Sequence, residues 1–285
     1  MAGKTYRQAL IDKIDASVTQ SEIMAGSVRT AYLSAGSGRP VICLHGAGAG
    51  AITWYPSIGS MSKCYHVIVP DIVGYGESDK PDATYNRHYF SQWLKNFLLS
   101  LNIPKAHIVG LSQGGAIALQ FSLDNPQMME KLVLVDSGGL GAKPPFFSLM
   151  GMVWLNSFPS VMANRFYSSY ILFNPNNRDP LHGKYSMEVI NSKGGKNAFR
   201  QGRGAAISPI SVDLLRQIQA NTLIIWGEDD KLFSIKYGEA ATKLIPNSTF
   251  CRIPNAGHLP LMDQPDIFNK VVLDFLGSQK QWSVN

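Results

Sequence analysis

Within this 285-residue chain, the segment Gly110-Leu111-Ser112-Gln113-Gly114-Gly115 has the clearest capacity for chemistry. It sets a serine in the pattern G-x-S-x-G, directly after the apolar run Ala106 to Leu111 and before a helical pattern over Gly114 to Asn125. A sharp turn between strand and helix strains the serine backbone, and flanking glycines let the neighbouring chain close up. The serine hydroxyl is then exposed at the carboxyl edge of a sheet, where a helix N-terminus favours developing negative charge. Such a serine is placed for nucleophilic attack on a carbonyl carbon. The bare pattern also occurs by chance in Gly-rich loops, so its weight comes from the strand before it and the helix after it.

A second segment, His45-Gly46-Ala47-Gly48-Ala49-Gly50, follows the apolar run Pro40 to Leu44. Small residues here let backbone N–H groups approach a substrate oxygen, with Gly46 and Gly48 expected against the substrate. The N–H of Ala47 and the N–H of Gln113 are the expected oxyanion hole; losing one such donor typically costs about 10²–10³ in rate. A glycine run also suits a phosphate, but neither G-x-G-x-x-G nor the Lys-Ser/Thr of a P-loop is present.

These loops need a scaffold, and the sequence supplies an alternation of strands and helices. Val28 to Leu33, Pro40 to Leu44, Tyr65 to Val69, Ala106 to Leu111 and Lys131 to Val135 read as strands. Trp54 to Lys63, Tyr89 to Leu101 and Gly114 to Asn125 read as helices. The rhythm breaks after Asp136. From about Leu140 to Ala205 the chain is rich in Phe, Met, Tyr, Pro and Asn without strand signals, and reads as a helical insertion too apolar to stay solvated. Alternation then resumes with strands Thr222 to Trp226 and Thr249 to Ile253 and helices Ile235 to Leu244 and Pro265 to Leu276. The expected fold is α/β, a mostly parallel central sheet flanked by helices. The expected division is a core over 1–139, a helical cap over 140–205 and a return to the core over 206–285.

Together the HG loop, the Asp71-Ile72-Val73-Gly74-Tyr75-Gly76-Glu77-Ser78 turn and the Ser112 elbow resemble the α/β-hydrolase superfamily, over nearly the whole chain from Val28 to Leu276. The resemblance implies the α/β-hydrolase fold and a catalytic triad. Its acid is implied by Trp226-Gly227-Glu228-Asp229-Asp230, where relatives carry a carboxylate three residues after the glycine, which selects Asp230. Asp229 and Asp136 are rivals, the latter because some relatives place the acid after an earlier strand. The base is His258 in Asn255-Ala256-Gly257-His258-Leu259-Pro260, which completes the chain order Ser, Asp, His. The other histidines read as structural or surface residues. The usual proline beyond the acid is replaced by Ser234.

The resemblance leaves several functions open. The leading one is a carboxylesterase on small to medium acyl esters, working through an acyl-enzyme. Another is a carbon–carbon hydrolase of meta-cleavage products, of the 2-hydroxy-6-oxohexa-2,4-dienoate type, with Arg200 or Arg203 as a clamp for the substrate carboxylate. That group usually has Asn at the position of Leu111, Trp at Leu259 and proline at Ala49, so this chain departs from it three times. The last is a ligand-binding receptor of the same fold with little turnover. In the cap, Phe146, Phe147, Met150, Met152 and Trp154 either line an apolar substrate pocket or form the cap's own core. Trp154 and Leu259 are carried as substrate-binding.

Bulk properties fit this picture. Apolar residues are 45% and charged residues 16% of the chain, and the formal net charge is +6. A basic surface attracts acidic substrates or membranes, but the cations are scattered, which reads as a solvated surface and argues against nucleic-acid binding. No secretory pattern opens the sequence, no apolar stretch is long enough to span a bilayer, and no metal motif such as H-E-x-x-H occurs. Cys43, Cys64 and Cys251 are expected as buried free thiols, which suits a cytoplasmic protein. The expected partner is a small-molecule ester or ketone, with no cofactor; a homodimer is left open.

Overall fold

A run such as Ala106 to Leu111, apolar or glycine at every position but His107, is stable as a strand only when both faces of its sheet are covered. The computed structural model, which describes residues 5–177 and 179–278, has that arrangement. Its eight strands are β1 (Thr19–Ala25), β2 (Val28–Ala35), β3 (Pro40–Leu44), β4 (His66–Pro70), β5 (Ala106–Leu111), β6 (Met129–Val135), β7 (Asn221–Gly227) and β8 (Ser248–Ile253). They form one sheet in the order β1-β2-β4-β3-β5-β6-β7-β8. The hairpin β1–β2 and the pair β2–β4 are antiparallel, and the other pairs are parallel. Every residue of β5 is buried, as are four of the five in β3.

The helices are α1 (Tyr6–Ile11), α2 (Tyr55–Ser62), α3 (Arg87–Ser100), α4 (Gln113–Asp124), α5 (Phe146–Ser157), α6 (Val161–Ile171), α7 (Pro180–Asn191), α8 (Gly195–Ile207), α9 (Val212–Leu215), α10 (Lys236–Thr242), α11 (Pro260–Asp263) and α12 (Pro265–Gly277). Their starts are legible chemistry. Asn86, Ser160 and Asp179 each accept a backbone N–H from the first turn of α3, α6 and α7, and Pro180 and Pro265 occupy first-turn positions that need no donor. Five of these helices, α5 to α9, lie between β6 and β7.

Beside β3 the winding of the sheet reverses, since β4 lies on one side of it and β5 on the other. The loops leaving such a switch point diverge and open a crevice at the carboxyl ends of the strands. Here those loops are the HG loop after β3 and the Ser112 turn after β5. In register Leu44 lies opposite Gly110, so the two loops begin side by side.

Two features depart from expectation. Strand β1 and helix α1 precede the first expected element; β1 is an edge strand with mostly exposed or half-exposed residues, so it carries no buried face to announce it. Cys64 is exposed, because it falls after α2 and before β4 begins, whereas Cys43 and Cys251 are buried; all three are free thiols.

Candidate active site

Ser112 sits between the last residue of β5 and the first of α4 with φ 53° and ψ −115°, a left-handed conformation that a serine adopts only under constraint. The glycines explain how the turn closes. A Cβ on Gly110 would overlap the Gly114 carbonyl, and one on Gly114 would overlap the carbonyl of Leu44 in the neighbouring strand. Gly46 backs onto Ser112 itself: a Cβ there would lie 3.4 Å from Ser112 Cβ. As the first residue of α4, Gln113 has a backbone N–H with no partner inside its helix. Its buried side chain donates to Gly202 O of α8 at 2.7 Å, tying the elbow to the cap.

The HG loop is held by His45 and Asp71. His45 Nε2 accepts from Ile72 N at 2.9 Å, which leaves Nδ1 to donate to Gly46 O at 2.8 Å. Burial drives the His45 pKa down to about 4, so the ring stays neutral and fits the structural role expected of it. Asp71 Oδ1 accepts from Ala51 N at 2.6 Å, and its Oδ2 accepts from Glu77 N at 3.1 Å and from Arg7 Nη1 at 2.8 Å. Arg7 also reaches Tyr185 Oη of α7 at 3.2 Å. Asp71 therefore does more than shape a turn. Nothing in the local sequence of Arg7 signals that it is buried.

The expected acid and base meet at the ends of β7 and β8. His258 Nδ1 donates to Asp230 Oδ2 at 2.8 Å, with both side chains buried. Asp230 Oδ1 accepts from Leu232 N at 2.7 Å and Phe233 N at 2.9 Å, so three donors fix this carboxylate. The edge of Phe233 packs on the His258 ring at 5.1 Å between centroids. That leaves His258 Nε2, the acceptor of this tautomer, buried without a hydrogen-bond partner among the described residues. It faces a cavity that Ser112 also lines.

Asp136, the rival acid after β6, lies in the same cluster: its carboxylate, that of Asp230 and a His258 nitrogen all fall within 4.8 Å of one another. Asp136 Oδ1 accepts from Gly227 N at 3.0 Å, and its Oδ2 is buried without a donor. Burial, and next the charge of Asp230, push the Asp136 carboxyl well above the usual range. Burial and the neighbouring carboxylate thus both disfavour a negative charge on Asp136. These atoms offer a metal three ligands in principle, although His258 Nδ1 and Asp230 Oδ2 are already paired with each other.

The cavity, of about 140 Å³, is lined by Gly46, Ala47, Gly48, Ser112, His258 and Leu259 from the core, and by side chains of α5 to α8 above. Arg203 lines it. Arg200 does not; it is exposed and donates to Asn197 Oδ1. The two arginines are three residues apart, and the inward face of α8 runs through Phe199, Arg203, Ala206 and Ile207, which leaves Arg200 off it. Trp154 is likewise absent from the lining. On α5 the inward residues are Met152, Leu155 and Asn156, while Trp154 turns outward onto Phe166 with centroids 5.8 Å apart. Phe146, Phe147 and Met150 are exposed as well, so they form neither pocket nor cap core. Sequence reasoning missed Tyr167, Asn164 and His182 in the lining, whose sole signal was helical spacing.

The chain as a whole has known counterparts. The alpha/beta hydrolase family model matches residues 41–271. A 2-hydroxy-6-oxo-6-phenylhexa-2,4-dienoate hydrolase of Burkholderia cepacia is 31% identical over 273 residues, covering 92% of this chain and 96% of that one. A 2-hydroxy-6-oxononadienedioate/2-hydroxy-6-oxononatrienedioate hydrolase of Comamonas testosteroni is also 31% identical, with the same coverage. Among solved structures, carboxylesterase CesB of Bacillus subtilis superposes with a TM-score of 0.84 at 22% identity, covering 95% of this chain and 96% of that one. A meta-cleavage product hydrolase of Pseudomonas fluorescens gives 0.80 at 25% identity, covering 92% and 98%. The chain belongs to the alpha/beta hydrolase family and is a hydrolase.

Proposed function

We propose that the chain hydrolyses carboxylic esters of small to medium acyl groups through an acyl-enzyme, with Ser112 as nucleophile, His258 as base and Asp230 as the acid that orients it. The observation that carries this reading is His258 Nε2, buried and unpartnered in the cavity that Ser112 lines, with Nδ1 engaged by Asp230. His258 takes the Ser112 proton as Oγ attacks the carbonyl carbon. The N–H groups of Ala47 and Gln113 receive the oxyanion, the leaving group departs with the proton held by His258, and water releases the acyl group. No hydrogen bond from Ser112 Oγ to His258 Nε2 is formed among the described residues; such bonds tighten when substrate arrives.

Substrate size and polarity follow from the lining. An apolar cavity near 150 Å³ accepts a group about the size of benzene, which suits a short acyl chain. Leu111 and Leu259 place aliphatic side chains on either side of the nucleophile and base, where a polyoxygenated dienoate would want donors. The buried free thiols Cys43 and Cys251 fit a reducing cytoplasm.

Cleavage of a carbon–carbon bond in meta-cleavage products is the second reading. Arg203 at the cavity favours it, as does the 31% identity to dienoate hydrolases. Side-by-side kcat/KM on p-nitrophenyl butyrate and on a 2-hydroxy-6-oxohexa-2,4-dienoate, with Ser112→Ala as blank, separates the two. A clear preference for the ester supports the first reading; a preference for the dienoate replaces it with the second.

A further inference from the structure

Seventeen large apolar side chains are exposed among the described residues, and eleven of them fall between Phe146 and Phe173, on α5, α6 and the short turns that border them. The two helices pack closely, with Gly151 against Phe166, and form a hairpin with two unlike faces. Its inner face, including Met152, Leu155, Tyr167 and Ile171, lines the cavity above Ser112. Its outer face presents Phe146, Phe147, Trp154, Phe158, Val161 and Met162; Phe158 is 75%, Phe146 70% and Met162 65% exposed. Isolated exposed apolar residues are ordinary, whereas a contiguous apolar face marks a contact surface.

Charge indicates what makes the contact. No Asp or Glu occurs between Asp136 and Asp179, while Lys143 and Arg165 in that stretch are both exposed. Two copies of the chain pairing through this face would set these cations against their counterparts with no acid from the hairpin to answer them. An anionic lipid surface complements them. Among the described residues no helix is long and apolar enough to cross a membrane, so a hairpin of 12-residue and 11-residue helices can bury its outer face only by lying flat in the headgroup region.

We propose that the outer face of the α5–α6 hairpin docks this chain on anionic lipid bilayers, with Lys143 and Arg165 at the headgroups and the Phe, Trp and Met side chains below them. Docking sets the roof of the cavity against the lipid, so an apolar substrate dissolved there has a short path to Ser112. The scattered cations that read as solvated surface in sequence thus include two on the stretch that carries this exposed apolar face.

The test is flotation of the full chain with vesicles of phosphatidylglycerol and phosphatidylcholine in equal parts, and with pure phosphatidylcholine. The native chain is expected to float with the anionic vesicles. Phe158→Glu/Met162→Glu should weaken partition at least about tenfold, given the worth of burying such side chains. Lys143→Glu/Arg165→Glu should lose the preference for phosphatidylglycerol, at about fivefold per cation. Circular dichroism and an unchanged unfolding midpoint verify that the variants fold. A native chain that stays in solution, or that floats no better than Phe158→Glu/Met162→Glu, overturns the proposal. So does a dimer in light scattering that this variant converts to monomer without any change in flotation, which would give the face to a second copy. Flotation requires no turnover, so its failure is distinct from failure of the hydrolase reading.

Discussion

The floor and the roof of this cavity are built differently. The floor is the carboxyl edge of a sheet, where Ser112, Asp136, Asp230 and His258 each follow a strand and are fixed by backbone hydrogen bonds, strained dihedrals or buried ion pairs. Their positions are set by strand register, which a one-residue slip would ruin. The roof is four helices whose outward faces are in part apolar and exposed, and which specific hydrogen bonds and ion pairs tie to the floor. Gln113 bonds to Gly202, Arg7 bridges Asp71 to Tyr185, and Lys13 pairs with Asp179 at 2.6 Å. On the proposed reading, chemistry belongs to the floor, and choice of substrate and surroundings to the roof. A fold that separates the two can change substrate without disturbing the proposed triad.

Variants in the floor should act on kcat, and the largest effect is expected at the nucleophile. Ser112→Ala should lower ester turnover by at least about 10⁴ while leaving the circular dichroism spectrum unchanged; substantial residual turnover would remove Ser112 from the role. Next comes the pair of carboxylates. Asp230→Asn should cost about 10⁴ in kcat, as loss of the orienting acid does in a well-studied triad. Asp136→Asn should cost far less, because an amide can still accept from Gly227 N and donate to Asp230. The reverse order in steady-state kinetics would show that the acid lies after β6 instead of β7.

The floor also carries a pH dependence of stability. Burial holds the His45 pKa near 4, whereas the unfolded ring titrates near 6.5. The unfolded chain therefore binds the proton first as pH falls: stability is full above pH 6.5 and is lost progressively towards pH 4, by about 3 kcal/mol from this residue. His107, also lowered to about 4 chiefly by burial, adds in the same direction. Denaturant titrations at pH 7.5 and 4.5 check this; equal stabilities would contradict it. In the roof the effects should be smaller and should fall on KM. Arg203→Ala should raise KM for a carboxylate-bearing dienoate about tenfold and leave a neutral ester unaffected, while Arg200→Ala should change neither. Equal responses from the two arginines would mean that the inward face of α8 has been misassigned.

The same contrast governs what the sequence reveals. Strands β3 and β5 are legible to the residue because all positions but Pro40 obey one rule, burial on both faces, and the glycines beside Ser112 mark the turn. Strand β1 lacks that rule. Its signal is the two-residue hairpin loop Gly26-Ser27, with Gly26 at φ 65°, joined to a strand too polar to stand out. In the cap, composition points to helices but does not fix which way each helix is turned. A rotation of about 100° per residue separates Trp154 from Leu155, and three such steps leave Arg200 about 60° from Arg203, off the cavity face. Contacts distant in sequence, such as Arg7 with Asp71 and Tyr185, leave no local trace at all.

The central claim is that the floor presents one activated serine, and a fluorophosphonate tests it directly. After brief incubation of the native chain, peptide mass analysis should find a single phosphonyl adduct, on Ser112, and His258→Ala should abolish its formation. An adduct on another residue, or labelling that survives His258→Ala undiminished, would contradict the assignment of nucleophile and base.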